Sequence, residues 1–233
     1  MTNVLEVHNV ETFIGQFHIL EGVSVEVPDG SITVLLGRNG AGKTTTLKTI
    51  LGLAPPRRGR VVFNGREIQG WQTHQIAAQG IGYVPENRAI FNALSVEENL
   101  KIAERVKGDL ERRAEFIFDL FPDLKRLIKL SGGNLSGGQQ QMLAIARALV
   151  PENSLLLIDE PSEGLAPVII EQMIRAVRTL SEHTTVLLVE QNFIMARQLA
   201  DRYVIIESGK SVANGTMADL VNDQVTIRRY LGV

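Results

Sequence analysis

GRNGAGKTT, Gly37 to Thr45, is the stretch whose reading decides the fold. It fits the pattern G-x-x-x-x-G-K-[ST]. It follows the continuous apolar run Ile32–Leu36 and precedes a helical stretch expected from Lys43 to about Leu51. A strand, a glycine loop and a helix in that order form a cradle for phosphate. Glycines let backbone N–H groups wrap phosphate oxygens without Cβ clashes, and the helix N-terminus adds a favourable dipole. Gly37, Arg38, Asn39, Gly40, Ala41, Gly42, Lys43, Thr44 and Thr45 are the expected phosphate-binding residues. Lys43 is placed to reach the β- and γ-phosphates, and Thr44 to offer its hydroxyl to Mg²⁺.

Outward from this loop, the chain alternates short strands and helices. Ser154–Ile158, Thr185–Val189 and Val204–Ile206 read as buried strands, and Gln139–Leu149, Val168–Leu180 and Phe193–Leu199 as helices. That alternation predicts an α/β fold with a parallel sheet covered on both faces. The start of the chain is different. Leu5–Val7 and Val23–Val27 alternate like half-exposed strands, and Val61–Phe63 with Asn64–Gly65 reads as a hairpin. From about Ser95 to Leu130 the pattern is helical, broken at Pro122, and looks like an insertion into the sheet.

The bulk numbers narrow the function classes. The 233 residues suit one large α/β domain, and 44% hydrophobic with 21% charged residues is ordinary for a globular protein. A net charge of -2 gives no electrostatic footprint for nucleic acid. The absence of cysteine excludes disulfides and thiolate metal sites and fits a reducing compartment. The N-terminal MTNVLEVHNV lacks the basic and apolar regions of a secretory signal, and no apolar run approaches the roughly 20 residues of a membrane span. His8, His18, His74 and His183 show no metal-ligand spacing, and Trp71 reads as packing against a helix.

Two further motifs carry chemistry. SLLLIDEP, Ser154 to Pro161, is an apolar strand ending in two acids. Asp159 is placed to bind Mg²⁺, and Glu160, one residue on, to polarise an attacking water. NLSGGQQQMLAIARAL, Asn134 to Leu149, opens a helix with Ser136, Gly137, Gly138 and Gln139. Free N–H groups, a hydroxyl and a positive helix end again suit an anion. One chain already holds a triphosphate at Gly37–Thr45, so a second anion site makes sense if it serves another chain's nucleotide. An ordinary serine-capped helix is the plainer alternative.

The phosphate loop together with LSGGQ, whose Ser136 lies 23 residues before Asp159, resembles the ATP-binding cassette (ABC) family over essentially the whole length. The resemblance implies a P-loop NTPase nucleotide-binding domain over 1–233, with an antiparallel β subdomain and a helical subdomain near 87–148. It implies ATP and Mg²⁺ as cofactors, and two cassettes docked head to tail with each ATP between one phosphate loop and the other chain's LSGGQ. Three positions depart from the usual family pattern: Glu86 where glutamine is common, Ala166 where aspartate is common, and Gln191 where histidine is common. Together with the segment PSEGLAP they resemble the smaller-type ATPase subunits of branched-chain amino acid importers. Urea importers and lipopolysaccharide exporter ATPases are near relatives. The resemblance implies a second ATP-binding cassette subunit, a distinct ATPase or a second copy of this chain, together with two membrane permease subunits and, indirectly, a substrate-binding protein. It places the chain peripherally at the cytoplasmic face of the membrane.

By the same resemblance Gln191, at the exit of the strand in LLVEQN, faces the γ-phosphate and orients rather than shuttles protons, because an amide cannot change charge near neutral pH. A strand-end surface turn is the alternative. Glu86 is a Mg²⁺ contact or a solvated hinge residue. The slot for an adenine-stacking aromatic falls at Ile14, with Phe13 as the substitute or as a core residue. Phe91 and Leu94, after the hinge, are the expected apolar contact for a membrane subunit, with core packing as the alternative.

Overall fold

The computed structural model describes residues 2–232. In chain order its strands are β1 (Asn3–Ile14), β2 (Phe17–Pro28), β3 (Ile32–Leu36), β4 (Arg58–Phe63), β5 (Arg66–Glu67), β6 (Ile81–Val84), β7 (Leu155–Asp159), β8 (Thr185–Glu190), β9 (Arg202–Glu207) and β10 (Lys210–Thr216). Its main helices are α1 (Lys43–Ile50), α2 (Thr73–Ala78), α3 (Val96–Lys101), α4 (Asp109–Leu120), α5 (Pro122–Arg126), α6 (Gly137–Leu149), α7 (Pro167–Ser181), α8 (Phe193–Leu199) and α9 (Met217–Asn222).

Two sheets organise these elements. The first is antiparallel, in the order β2-β1-β4-β5. Its β4–β5 corner turns through Asn64 and Gly65, both at positive φ, as a two-residue hairpin requires. The second runs β10-β9-β3-β8-β7-β6, parallel throughout except for the edge strand β10.

The parallel strands are apolar on both faces, and the period of two divides their side chains between two cores. Val34, Leu36, Leu156, Ile158, Val186 and Leu188 face a core shared with α3–α9. Leu35, Leu155, Leu157, Leu187 and Val189 face the other core, shared with α1, α2 and the antiparallel sheet. Each such side chain, once removed from water, contributes about 1.5–3 kcal/mol. β8 is buried along its whole length, its terminal glutamate included.

The expected strands and helices of the sheet are present, with ends shifted by a residue or two. The helical middle is three helices, broken at Pro122 as expected and once more before it: Gly108, at φ 89, precedes α4, and Pro122 sits at the first position of α5, where its missing N–H costs nothing. β6 was not expected as a strand, because four residues containing Gly82 give no clear alternation. β10 and α9, beyond Ile206, were also not expected; β10 is a largely exposed edge strand with few apolar residues.

Candidate nucleotide site

Sheet order builds the site. β8 lies between β3 and β7, with Leu36 opposite Glu190 and Asp159 opposite Val189. The glycine loop after Leu36, the exit of β8 and the acid pair Asp159–Glu160 therefore emerge side by side. The carboxyl ends of parallel strands are where α/β sheets bind ligands.

The glycine loop needs its first glycine. A Cβ on Gly37 would collide with the Ile206 carbonyl oxygen. α1 then begins at Lys43 with Gly42 before it and no side chain capping its first turn, so those N–H groups are free for an anion. Lys43 is 4% exposed. Its Nζ donates to the carbonyls of Gly37 at 3.0 Å and Arg38 at 3.2 Å, and pairs with Glu160 Oε1 at 3.0 Å.

Thr44 Oγ1 donates to Asp159 Oδ1 at 3.1 Å, and the Tyr83 hydroxyl to Oδ2 at 3.4 Å. Burial pushes the Asp159 carboxyl above the usual range, and the hydroxyls of Thr44 and Tyr83 oppose that shift. Burial and the neighbouring Asp159 hold the Tyr83 phenol well above its ordinary value, so it stays a donor. Glu160 stands at φ 42, in the left-handed region that costs a non-glycine residue on the order of 1–2 kcal/mol. Its N–H is held by the Val189 carbonyl at 2.9 Å.

A cleft of about 420 Å³ opens over Lys43, Thr44 and Thr45, walled by Ile19, Glu86, Glu160 and Glu163. Glu86 and Glu163 wall the same cleft, and the neighbouring Glu163 carboxyl raises that of Glu86 above the ordinary range. Three carboxylates facing a bound phosphate would repel it without a cation. The adjacent Thr44 hydroxyl and Asp159 carboxylate are hard oxygen donors of the kind Mg²⁺ takes alongside phosphate oxygens and water. Among the described residues no cluster of three or more His, Asp or Glu could hold a metal unaided. The donor set thus fits Mg²⁺ arriving with a nucleotide.

Other expected residues lie elsewhere. Phe13 does not wall the cleft: its ring stacks on His18 at 4.1 Å, with the Arg57 guanidinium 4.1 Å over it. Ile19 lines the cleft, and Ile14 is half-exposed at the hairpin. Ser136, Gly137, Gly138 and Gln139 open α6 away from this cleft. Ser136 Oγ accepts from Gln139 N at 3.3 Å, and the Gln139 side chain accepts from Ser136 N at 2.9 Å, forming a capping box. That box uses the serine oxygen as acceptor and leaves its proton free to donate. Ala166 precedes α7 and offers no side-chain cap. Gln191 is exposed at the end of β8, whereas Glu190 beside it is buried. Phe91 is 45% exposed beneath the Arg147 guanidinium, and Leu94 is half-buried. Tyr83, Ser162 and Glu163 were not expected at the site; Glu190, the acid before Gln191 in LLVEQN, closes an apolar strand and so left a mark in the sequence.

A phosphate loop beside a buried aspartate and a glutamate, on a parallel sheet flanked by an antiparallel sheet and a helical cluster, defines a P-loop nucleoside triphosphatase with cassette architecture. The ABC transporter family model matches residues 20–163, and the chain belongs to that family as an ATP-binding cassette ATPase. It is 42% identical to the high-affinity branched-chain amino acid transport ATP-binding protein BraG of Pseudomonas aeruginosa, covering 98% of this chain and 100% of that one. It is 38% identical to the probable branched-chain amino acid transport ATP-binding protein LivF of Archaeoglobus fulgidus, over 94% of each. The lipopolysaccharide export system ATP-binding protein LptB of Escherichia coli K12 is 34% identical over 92% of this chain and 91% of its own. Among solved structures, the ADP conformation of MJ1267, an ATP-binding cassette of an ABC transporter, matches with a TM-score of 0.88 and 25% identity over the full length of both chains.

Proposed function

We propose that this chain energises uptake of branched-chain or related amino acids, hydrolysing ATP as the motor subunit of an importer. The observation that carries the motor is the convergence of Lys43, Thr44, Asp159 and Glu160 at the carboxyl ends of β3 and β7, across β8. The solute class rests on the likeness to BraG and LivF over nearly the whole chain.

Each residue then has a task. Gly37–Thr45 binds the phosphates through loop N–H groups and Lys43. Thr44 and Asp159 would hold Mg²⁺, which when bound would supply neutralising charge for the phosphate oxygens. Glu160 accepts the proton of the attacking water, which its release from Lys43 on nucleotide binding frees it to do. Gln191 donates its amide to the γ-phosphate. Glu86, beside Glu163 in the cleft wall, acts on the hinge, with Mg²⁺ contact as its alternative role. The purine rests on Ile19 and the hairpin tip, since the Phe13 ring is already covered.

A second ATP-binding subunit completes the site, its nucleotide meeting Ser136–Gln139 of this chain. Two permease subunits dock near Phe91 and Leu94, with a substrate-binding protein engaged indirectly and no nucleic acid partner. Attachment is peripheral, at the cytoplasmic face, through the permease subunits; among the described residues no helix is long and apolar enough to cross a membrane. The test is to tag the chain in its native cell, extract membranes in mild detergent and identify what co-purifies. Two membrane subunits and a second ATPase support the importer. Lipopolysaccharide-export components, a ribosome or DNA-bound partners contradict it and leave the ATPase chemistry standing.

A further inference from the structure

We infer that Glu190 is a positioning residue that ties the turn carrying Glu160 to the segment carrying Gln191. It is 1% exposed, and both carboxylate oxygens are fully engaged. Oε1 accepts from Ser162 N at 3.1 Å; Oε2 accepts from Ser162 Oγ at 3.0 Å and from Asn192 N at 3.1 Å. Ser162 lies two residues beyond Glu160, and Asn192 one residue beyond Gln191. One buried carboxylate thus grips both reacting segments.

The need for such a grip is local. Glu160 occupies left-handed backbone, which persists only where its surroundings over-determine it. Its own N–H is held by Val189. Pro161, next along, has no N–H to offer. The first donors after it are those of Ser162, and Glu190 takes both. On the other side, Asn192 is fixed twice, by its N–H to Glu190 and by its Oδ1, which accepts from Met195 N at 3.1 Å to cap α8. Gln191 is therefore spanned by two anchored residues, which fix its backbone. An acid is costly to bury, and an apolar residue would close β8 without that cost. What the carboxylate adds is three accepted hydrogen bonds from two separate segments, which an apolar side chain could not supply.

This inference rests on the ATPase assignment, and parental turnover measured alongside tests that assignment separately. The variant is Glu190→Gln in the full chain. It keeps the shape, but its amide NH₂ must face either Ser162 N or Asn192 N, leaving one backbone donor unpaired. Glu190 does not touch the phosphate loop. The expected result is at least a tenfold fall in kcat, with KM for ATP and Kd for ADP within twofold of the parent. Ser162→Ala, which leaves the buried carboxylate and its bond to Ser162 N in place, should lower kcat about threefold with the same split. The double variant should fall by less than the product of the two. A folded Glu190→Gln protein with kcat within twofold of the parent overturns the inference. So does a loss of ADP affinity matching the loss of kcat, because Glu190 then only supports the fold. If Glu190→Gln does not fold, Ser162→Ala decides, and parental kcat there overturns it.

Discussion

Replacing Glu160 by glutamine should make the chain bind ADP about tenfold more tightly. Lys43 is buried and its charge is met by Glu160 at 3.0 Å, with Glu160 itself 15% exposed. At an effective dielectric near 20 the gross attraction at that distance is about 5 kcal/mol, and removing one partner of a buried pair costs roughly 3–5 kcal/mol. Here the loss is smaller. The glutamine oxygen still accepts from Nζ, and the carbonyls of Gly37 and Arg38 remain. A net cost of about 1–2 kcal/mol follows, equivalent to roughly 5–30-fold in an equilibrium constant. That cost falls on the empty site alone, because a bound phosphate replaces the carboxylate as counterion to Lys43. Titration of a fluorescent ADP analogue into parent and Glu160→Gln proteins measures it, and ADP avoids any contribution from blocked hydrolysis. Glu163→Gln is the control: it removes a carboxylate from the same cleft without touching Lys43, and should tighten ADP by no more than about threefold. An ADP affinity for Glu160→Gln within twofold of the parent, or an equal gain in the control, would refute the reasoning.

Gly37→Ala should abolish nucleotide binding, since its Cβ meets the Ile206 carbonyl; a gel-filtration and ADP-binding assay showing parental affinity would contradict the packing described. Leu188→Ala, at a fully buried position in the middle of the sheet, should destabilise by about 2–5 kcal/mol, read as a lower urea midpoint with unchanged slope. Stability should also depend on pH. Burial holds the Asp159 and Glu190 carboxyls above their ordinary range, so the folded state binds more protons than the unfolded one above roughly pH 4.3. Stability therefore declines as pH rises from there through the raised folded values. The carboxyls lowered by their partners, such as Asp223, act only below that pH. Urea midpoints from pH 5 upward should fall, and the fall should shrink in Glu190→Gln.

How far the sequence carried depended on whether a signal was local. The phosphate loop, the acid pair closing β7 and the buried strands were legible because each is continuous and written in residue types with a direct physical reading. Gly37–Thr45 needs nothing distant to be seen as an anion cradle. β6 and β10 were not legible, since one is a four-residue edge strand with a glycine and the other is mostly exposed. Phe13 was a reasonable substitute for a stacking aromatic, yet His18 and Arg57, from the returning strand and a distant loop, cover its ring. The acid and the amide that end the apolar run in LLVEQN were visible, but the resemblance assigned a role only to Gln191. The organising role of Glu190 depends on Ser162, 28 residues away, and no spacing in the sequence announces that contact. Tyr83 is hidden likewise, because only the β6–β7 pairing brings it to Asp159.

The most direct test of the central claim is steady-state phosphate release from ATP with Mg²⁺, comparing the parent with Glu160→Gln at protein concentrations high enough to drive pairing. Removing a general base costs about 10²–10⁴-fold. The structure therefore predicts turnover in the parent and a loss of at least a hundredfold in the variant. Equal turnover in the two proteins would mean that Glu160, held beside Lys43 in the cleft, is not the residue that activates water.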